Sequence, residues 1–208
     1  MVFGIITSIA ACPAIVGTNE AVMQGQKQNA REKHRGLKSN LVANCDATSR
    51  YASVVNGAAV VLENNKLYLA TPNVEDEAHP FAGYYLPYPD HNWGRQGEGL
   101  VSTIMDDPPQ LNWIYVDEDT YEVKYGDRVQ SQEHIIGPWD CTKLDRRVTL
   151  EGWEGFLAVR ESAGNWALYF DREDDSLQDR VSPKKRRVEV ELTRKEMKKR
   201  KDEDNEGR

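Results

Sequence analysis

The chain has 208 residues, of which 39% are apolar and 29% charged, and its net charge is −7 at pH 7. This length suits one domain of ordinary size with polar extensions, and the composition favours a soluble protein. The charge is unevenly divided: residues 1–38 carry +3, residues 39–180 carry −14 and residues 181–208 carry +4. An acidic body repels a phosphate backbone, so nucleic-acid contact is expected, if anywhere, at the basic tail.

These charges and the local patterns predict three regions. Residues 1–38 form an apolar N-terminus followed by an amphipathic helix that ends basic, residues 39–180 form an acidic β domain, and residues 181–208 form a basic tail. The three cysteines, Cys12, Cys45 and Cys141, are odd in number and far apart, with no Cys-x-x-Cys pair. This spacing predicts neither a disulfide framework nor a zinc site, and it favours a reducing compartment.

The first segment, residues 2–17, is almost wholly apolar, but Pro13 and Gly17 interrupt it. It is shorter than the roughly 20 residues that a membrane-spanning helix needs, so we predict no transmembrane segment here. Ser8-Ile9-Ala10 is an acceptable signal-peptide cleavage site, although no basic side chain precedes it. Export with cleavage of about residues 1–10 therefore stays open as an alternative.

From Pro13 the pattern predicts a helix with an apolar side that includes Ile15, Val16, Val22 and Met23. Its second half, residues 27–38, is rich in lysine and arginine, and Gly36 is a natural stop. Such a run is typical of a solvated face at a helix C-terminus, or of a contact with an acidic partner or RNA.

The acidic body predicts about eight strands, because short alternating apolar runs are separated by turn residues. The runs are residues 58–62, 67–70, 100–105, 112–116, 120–125, 147–150, 156–160 and 166–170. This rhythm is typical of an antiparallel sandwich or barrel. The hairpin over 156–170 is apolar on both faces, so we expect it at the centre of the core.

Between the first two hairpins, residues 81–94 are dense in aromatics, prolines and glycines, which predicts a shaped loop. Its candidate ligand- or partner-binding residues are Tyr84, Tyr85, Tyr88, Trp93 and the following Arg95. These side chains could stack on a sugar, a base or a proline-rich peptide. The alternative is that the rings cap one end of the barrel.

Three phrases carry a resemblance to a known family: residues 12–15 (CPAI), 152–156 (GWEGF) and 166–172 (WALYFDR). They resemble those of a family of small uncharacterised proteins encoded by filamentous fungi. The resemblance extends over most of the chain. Because that family has no assigned activity, it implies no functional residues for this sequence.

The sequence shows no catalytic motif. The four histidines lack metal-ligand spacing, there is no nucleophile elbow or phosphate-binding loop, and the acidic run at 171–175 lacks the glycine and distal glutamate of a helix-loop-helix calcium site. We therefore predict no catalytic residue, no metal and no cofactor. An enzyme whose site is assembled from scattered residues stays an alternative.

The tail carries the strongest local signal. Pro183 is followed by Lys184, Lys185, Arg186 and Arg187, and a second basic cluster comprises Lys198, Lys199, Arg200 and Lys201. This resembles a monopartite or bipartite nuclear import signal that an importin-like receptor would bind. A solvated tail, an RNA-binding end and an anionic-lipid contact are the alternatives.

Between the two basic clusters, Val188, Val190 and Leu192 alternate with glutamates, which predicts one more strand, and residues 193–201 then predict a charged helix. A strand docked on the body would make the basic run less available. From these features we predict a nuclear, non-enzymatic module that binds an unidentified protein partner. The first alternative is a small secreted, effector-like fungal protein with a processed N-terminus, and the second is an enzyme.

Overall fold

The computed structural model describes residues 34–74, 78–106, 108–161 and 163–197. Most of the predicted N-terminal helix lies outside these residues, and its last part, residues 34–36, forms a turn. The second basic cluster, residues 198–201, also lies outside them.

Strands dominate the described part of the chain. In chain order the elements are β1 (Ser39–Asn44), α1 (Ala52–Val55), β2 (Ala58–Glu63), β3 (Lys66–Leu69), β4 (His79–Pro80), β5 (Gly83–Leu86), β6 (Gly99–Asp106), β7 (Pro109–Val116), β8 (Val123–Gly126), α2 (Arg128–Ser131), β9 (Trp139–Cys141), β10 (Val148–Leu150), β11 (Phe156–Arg160), β12 (Trp166–Phe170) and β13 (Arg187–Glu196). Neither described helix has the length and hydropathy of a membrane-crossing segment.

Nine of the strands close into an antiparallel barrel in the order β12-β11-β13-β1-β5-β6-β7-β8-β3. Ala167 of β12 pairs with Tyr68 of β3 and so completes the ring. β2 pairs with both β1 and β3, β4 pairs with β2, and β9 and β10 form a separate two-stranded sheet. The predicted fold class, mostly β with an antiparallel barrel, is therefore confirmed.

The hairpin of β11 and β12 lies in the core, as its sequence predicts. The two strands pair from Phe156 opposite Phe170 to Arg160 opposite Trp166, and all five residues of β12 are buried. Aromatic rings outside the hairpin cover it: Trp139 stacks on Phe156 at a centroid distance of 6.1 Å. A strand pair that is apolar on both faces needs such cover, and the β9–β10 pair supplies part of it.

Two further predicted hairpins are present. β2 and β3 are joined through Asn64 and Asn65, whose φ angles of 47° and 62° fit the two-residue turn that matches strand twist. The sequence predicts that the second strand of the β7–β8 hairpin begins at Thr120, which is wrong because β8 begins at Val123. The Asp117 carboxylate accepts hydrogen bonds from the amides of residues 119 and 120 and holds this segment in a turn.

The aromatic segment 81–94 contains a strand that its composition conceals. β5 pairs with β6 over all four of its residues, from Gly83 opposite Ser102 to Leu86 opposite Gly99. Residues 83–86 of the predicted shaped loop are therefore a strand. Glycine and tyrosine pairs give no clear alternation, so burial by neighbouring strands decides the conformation.

The tail segment contributes a barrel strand. Residues 188–192 are extended as predicted, but β13 continues to Glu196, so a helix beginning at Thr193 is wrong. β13 pairs with β1 along one edge and with β11 along the other, and these pairings satisfy its backbone groups. Arg194 takes the next inward position after Leu192 and is only 6% exposed.

A network of charges and phenols lies where β3 meets β8 and β12. The Lys66 ammonium lies 2.7 Å from Glu122 and 3.0 Å from Glu161. The Tyr169 hydroxyl donates to Glu122 at 3.0 Å, and nearby Lys124 pairs with Asp117 at 2.7 Å. Because these side chains are partly buried, each charge depends on its partner to offset lost hydration.

Candidate functional site: an acidic groove

A cavity of about 540 Å³ lies on the wall of the barrel, where the end of β1, the start of β11, the end of β12 and the middle of β13 meet. Its size falls in the range of small-ligand sites. Carboxylates and one indole dominate the lining, which comprises Asn44, Cys45, Asp46, Trp153, Glu154, Gly155, Phe156, Leu157, Asp171, Asp174, Glu189, Val190 and Glu191. We call this cavity the acidic groove.

A tight turn presents Trp153 to the groove. Glu151 and Gly152 have φ angles of 52° and 90°, and the amide and carbonyl groups of Leu150 and Trp153 bond to each other across the turn. This left-handed pair is typical of a two-residue hairpin turn. A Cβ atom on Gly155 would lie 2.2 Å from the Trp153 ring, so a larger residue at 155 would displace the indole from this position. The indole stays partly exposed at the groove.

The alternation of β13 supplies two of the carboxylates. Val188, Val190 and Leu192 are buried, whereas Glu189 and Glu191 between them are exposed. Successive side chains of a strand point to opposite faces, so the pattern that buries the valines turns both glutamates outward.

The six carboxylates of the groove differ in how they are engaged. Arg147 lies 3.0 Å from Glu154 and 3.7 Å from Glu191. Asp171 is buried and accepts backbone N–H groups of the loop that follows β12, the nearest being Ser176 at 2.7 Å.

The remaining three carboxylates lie at the solvent side. The Asp46 carboxylate accepts hydrogen bonds from the amide and hydroxyl of Thr48, which lower its pKa. Glu189 and Asp174 form no ion pair within the described residues. Among the described residues no lysine or arginine lines the groove, and Arg147 pairs with only two of its carboxylates. The lining therefore carries a net negative charge, with Glu189 and Asp174 open to a cationic ligand.

The predicted aromatic site is divided by the fold. Tyr84 is half-buried, Trp93 is half-buried and stacks on His91 at 5.2 Å, and Arg95 is exposed. Tyr88 is only 2% exposed, and its ring packs on Trp113 at 4.7 Å. A cavity of about 220 Å³ lies beside Trp93. Tyr84, Trp93 and Arg95 can meet a ligand as they stand, whereas Tyr88 cannot without opening of the loop.

Tyr85 is separated from the other predicted binding residues. It is fully buried in the main core, its hydroxyl donates to the Asp140 carbonyl at 2.8 Å, and burial raises its pKa well above the usual value. The guanidinium carbons of Arg35 and Arg194 lie 4.5 and 4.6 Å from the centre of its ring. These contacts give Tyr85 a structural position in the core, which agrees with the alternative interpretation that the rings cap the barrel.

The first basic cluster of the predicted import signal is at the surface. Lys184, Lys185 and Arg186 are exposed in a turn that the Lys185 amide closes on the Ser182 carbonyl at 2.9 Å. The Arg186 guanidinium donates to the Tyr51 hydroxyl at 2.6 Å, and Arg187 donates to the Val181 carbonyl at 3.2 Å.

No group of three or more histidine, cysteine, aspartate or glutamate side chains is placed to hold a metal ion within residues 34–74, 78–106, 108–161 and 163–197. Cys45 lies in the groove, where burial raises the pKa of its thiol and Asp46 adds to that effect. A thiol in such a setting is a poor nucleophile.

Sequence reasoning missed the groove itself. Its residues come from four separate stretches, and the predicted site residues include none of them. Two local signals point to it: the Glu151-Gly152 turn before Trp153, and the two glutamates that alternate with apolar residues in β13.

A family model described as a fungal beta-trefoil domain matches residues 17–198. No curated protein and no solved structure matches the chain.

Proposed function

The chain belongs to the fungal beta-trefoil domain family, and on this fold we propose that the acidic groove binds a lysine- or arginine-rich segment of a protein partner without catalysis. The predicted relation to a fungal family is thereby confirmed, but a fold alone does not specify a function. The observation that carries the proposal is the groove lining, which within the described part of the chain comprises six carboxylates, one indole and no cationic side chain.

The chemistry of the groove fits a basic side chain. A lysine or arginine beside Glu189 or Asp174 would pair with a carboxylate that has no ion-pair partner among the described residues. Its stem would lie against apolar Leu157, which pairs with Glu189 across β11 and β13. The partly exposed Trp153 ring offers a second contact, because an indole face attracts cations.

Several basic residues are needed for useful affinity. An exposed ion pair contributes about 0–1 kcal/mol and a cation–π contact about 0.5–2 kcal/mol, so a single side chain would bind weakly. The groove offers carboxylates along β13 at Glu189 and Glu191 and across it at Asp46 and Asp174. A segment with cations at several positions matches this distribution, and its binding weakens with added salt.

The binding prediction is tested with a short arginine- and lysine-rich peptide and calorimetry on the full chain. We expect Glu189→Lys to weaken binding about tenfold, because it replaces an attractive charge with a repulsive one. Glu133 is exposed and outside the groove, so Glu133→Lys makes the same change in net charge and should alter affinity by less than about twofold.

Equal losses in the two variants would show that the peptide senses only net charge and would refute the groove as the site. So would equal affinity for a matched peptide in which glutamine replaces every cation. Turnover of a substrate that is abolished by groove substitutions would instead support the enzymatic alternative.

We further propose that the partner is nuclear and that residues 184–187 alone form the import signal. Support comes from the exposure of Lys184, Lys185 and Arg186 at the surface. A bipartite signal would need both basic clusters in one extended peptide, yet β13 lies between them and is paired on both edges. An importin-like receptor would therefore engage the first cluster by opening the turn at 182–185 and by releasing Arg187, the first residue of β13, from its pairing with Val159.

The import proposal is tested by fusing the full chain to a fluorescent cargo that is too large to diffuse through nuclear pores. We expect nuclear accumulation, and its loss in the Lys184→Ala, Lys185→Ala double variant. Lys143→Ala with Arg146→Ala removes the same charge from the β9–β10 connection and should leave accumulation intact. Cytoplasmic signal from the unchanged chain would contradict the proposal, and a mature chain lacking about residues 1–10 would favour the secreted alternative.

A further inference from the structure

A second chemically distinctive cluster surrounds Cys141, at the end of β9. This free, half-buried thiol has its Sγ atom 3.8 Å from His34 Nε2 and 4.0 Å from an Arg194 guanidinium nitrogen. The three side chains come from the turn before β1, from β9 and from β13, so the barrel alone brings them together.

Arg194 is an unusual neighbour for a thiol because it is 94% buried and forms no ion pair with any described carboxylate. One of its terminal nitrogens donates to the His34 and Leu37 carbonyls and to the Ser39 hydroxyl, at 3.0 to 3.1 Å. The other is directed at the Cys141 sulfur. The adjacent Arg35 differs, since it pairs with Asp140 and Glu98.

The guanidinium nitrogen of Arg194 that does not contact the carbonyls is directed at the sulfur. The imidazole of His34 lies where it can accept the thiol proton. A cysteine between an imidazole and a guanidinium has the surroundings of a reactive thiol rather than of an inert core residue.

We propose that Cys141 is a modification site that undergoes thiol–disulfide exchange with low-molecular-weight disulfides of the glutathione type. The thiol proton passes to His34 and the sulfur attacks one sulfur of the disulfide. A bond forms between Cys141 and that half, the original S–S bond breaks, and the departing thiolate takes the proton back from His34. The incoming disulfide is the oxidant, so no other reactant is needed.

Cys45 provides an internal comparison. It is also a free, partly buried thiol, but its charged neighbour is Asp46, and burial together with that carboxylate raises its pKa. Cys141 also has a carboxylate nearby, since Asp140 accepts a hydrogen bond from its amide at 2.6 Å, but the His34 imidazole and the Arg194 guanidinium lie beside its sulfur. Of these two cysteines we therefore expect Cys141 to exchange faster.

The test treats the full-length native protein with oxidised glutathione at pH 7.5 and follows each cysteine by peptide mass spectrometry. We expect Cys141 to form the mixed disulfide at least about tenfold faster than Cys45, and dithiothreitol to reverse it. His34→Gln should slow Cys141 at least about threefold and leave Cys45 unchanged. The urea midpoint of the variant shows whether it is folded, and rates in denaturant give each thiol's unhindered value.

Three results would overturn the proposal. Cys45 could react as fast as Cys141, Cys141 could react only after denaturation, or a folded His34→Gln variant could exchange at the wild-type rate. The comparison thiol Cys45 lies in the acidic groove, but every rate is measured without peptide, so the result does not depend on peptide binding.

Discussion

Replacing Gly83 with alanine is expected to destabilise the protein by about 3 kcal/mol or more, because the added methyl group meets backbone. A Cβ atom on Gly83 would lie 2.1 Å from the Val101 carbonyl oxygen and 2.5 Å from the Phe81 ring. The carbonyl belongs to β6 and cannot rotate away, so β5 and β6 must separate. Gly83 also pairs β5 with β1, because it lies opposite Ser39. Urea unfolding at pH 7 measures the loss.

Gly57→Ala is the matched control. Gly57 has a φ angle of 82°, but a Cβ atom there would have no neighbour within 4 Å. Its replacement therefore adds only the strain of a left-handed backbone, about 1 kcal/mol. If Gly83→Ala lowers the free energy of unfolding by no more than Gly57→Ala does, the close approach of β5 to β6 is not important for the stability of the barrel.

The protein is also expected to lose about 2 kcal/mol of stability in acid through Asp117 alone. Burial by itself would raise the pKa of this carboxyl, but the hydrogen bond and charge of Lys124 and the Thr120 amide outweigh burial and lower the pKa to about 2. The pKa in the unfolded chain is about 3.9. A lowered pKa means stability that is fully present above about pH 5 and is lost as the pH falls towards 2.

Urea unfolding of the wild type and of Asp117→Asn at pH 7, 5 and 3 tests this expectation. The variant lacks the carboxylate at every pH, so the difference in free energy of unfolding should be about 2 kcal/mol at pH 7 and about half as large at pH 3. The Asp145 side chain is 66% exposed, so Asp145→Asn should change the free energy of unfolding only slightly at all three pH values. If the difference in free energy of unfolding between the wild type and Asp117→Asn is as large at pH 3 as at pH 7, the effect comes from packing rather than from the charge of Asp117.

The pKa of Glu122 is also lowered, because Lys66 outweighs the effect of burial. Wild-type stability is therefore expected to fall further in the same pH range.

Much of the barrel follows from local patterns. The β2–β3 turn at Asn64-Asn65, the apolar β11–β12 hairpin and the alternation of β13 each specify a strand within a few residues. These segments form strands in the barrel as predicted, because their local sequence preference and their burial both favour an extended conformation. The central role of the β11–β12 hairpin is visible in sequence for this reason.

Other strands depend on partners that are distant in sequence. β5 looks like a loop because Gly83 and the tyrosines after it have no alternation, and only its pairing with β6 makes it extended. The same dependence explains Arg194, a residue typical of an exposed end. Its charge is accommodated inside because carbonyls at positions 34 and 37 accept its N–H groups.

The groove could not be predicted because no stretch of sequence contains it. Trp153 and Glu189 are far apart in the chain and line the same cavity only because β11 pairs with β13. The aromatic loop offered a stronger signal, yet burial engages its Tyr85 and Tyr88 in the core. Segments rich in aromatic side chains occur in hydrophobic cores as well as at binding surfaces, so their composition alone does not distinguish the two.

The pairing of β1 with β13 also constrains how the protein is made. These are the first and last described strands, and six residue pairs join them, from Ser39 opposite Glu196 to Asn44 opposite Glu191. During synthesis, β1 leaves the ribosome long before its neighbour exists, and the edges of β1 and β11 stay open until β13 emerges. A nascent chain halted before residue 187 therefore exposes the unpaired edges of both β1 and β11. We expect chaperones to bind the incomplete chain at these two edges.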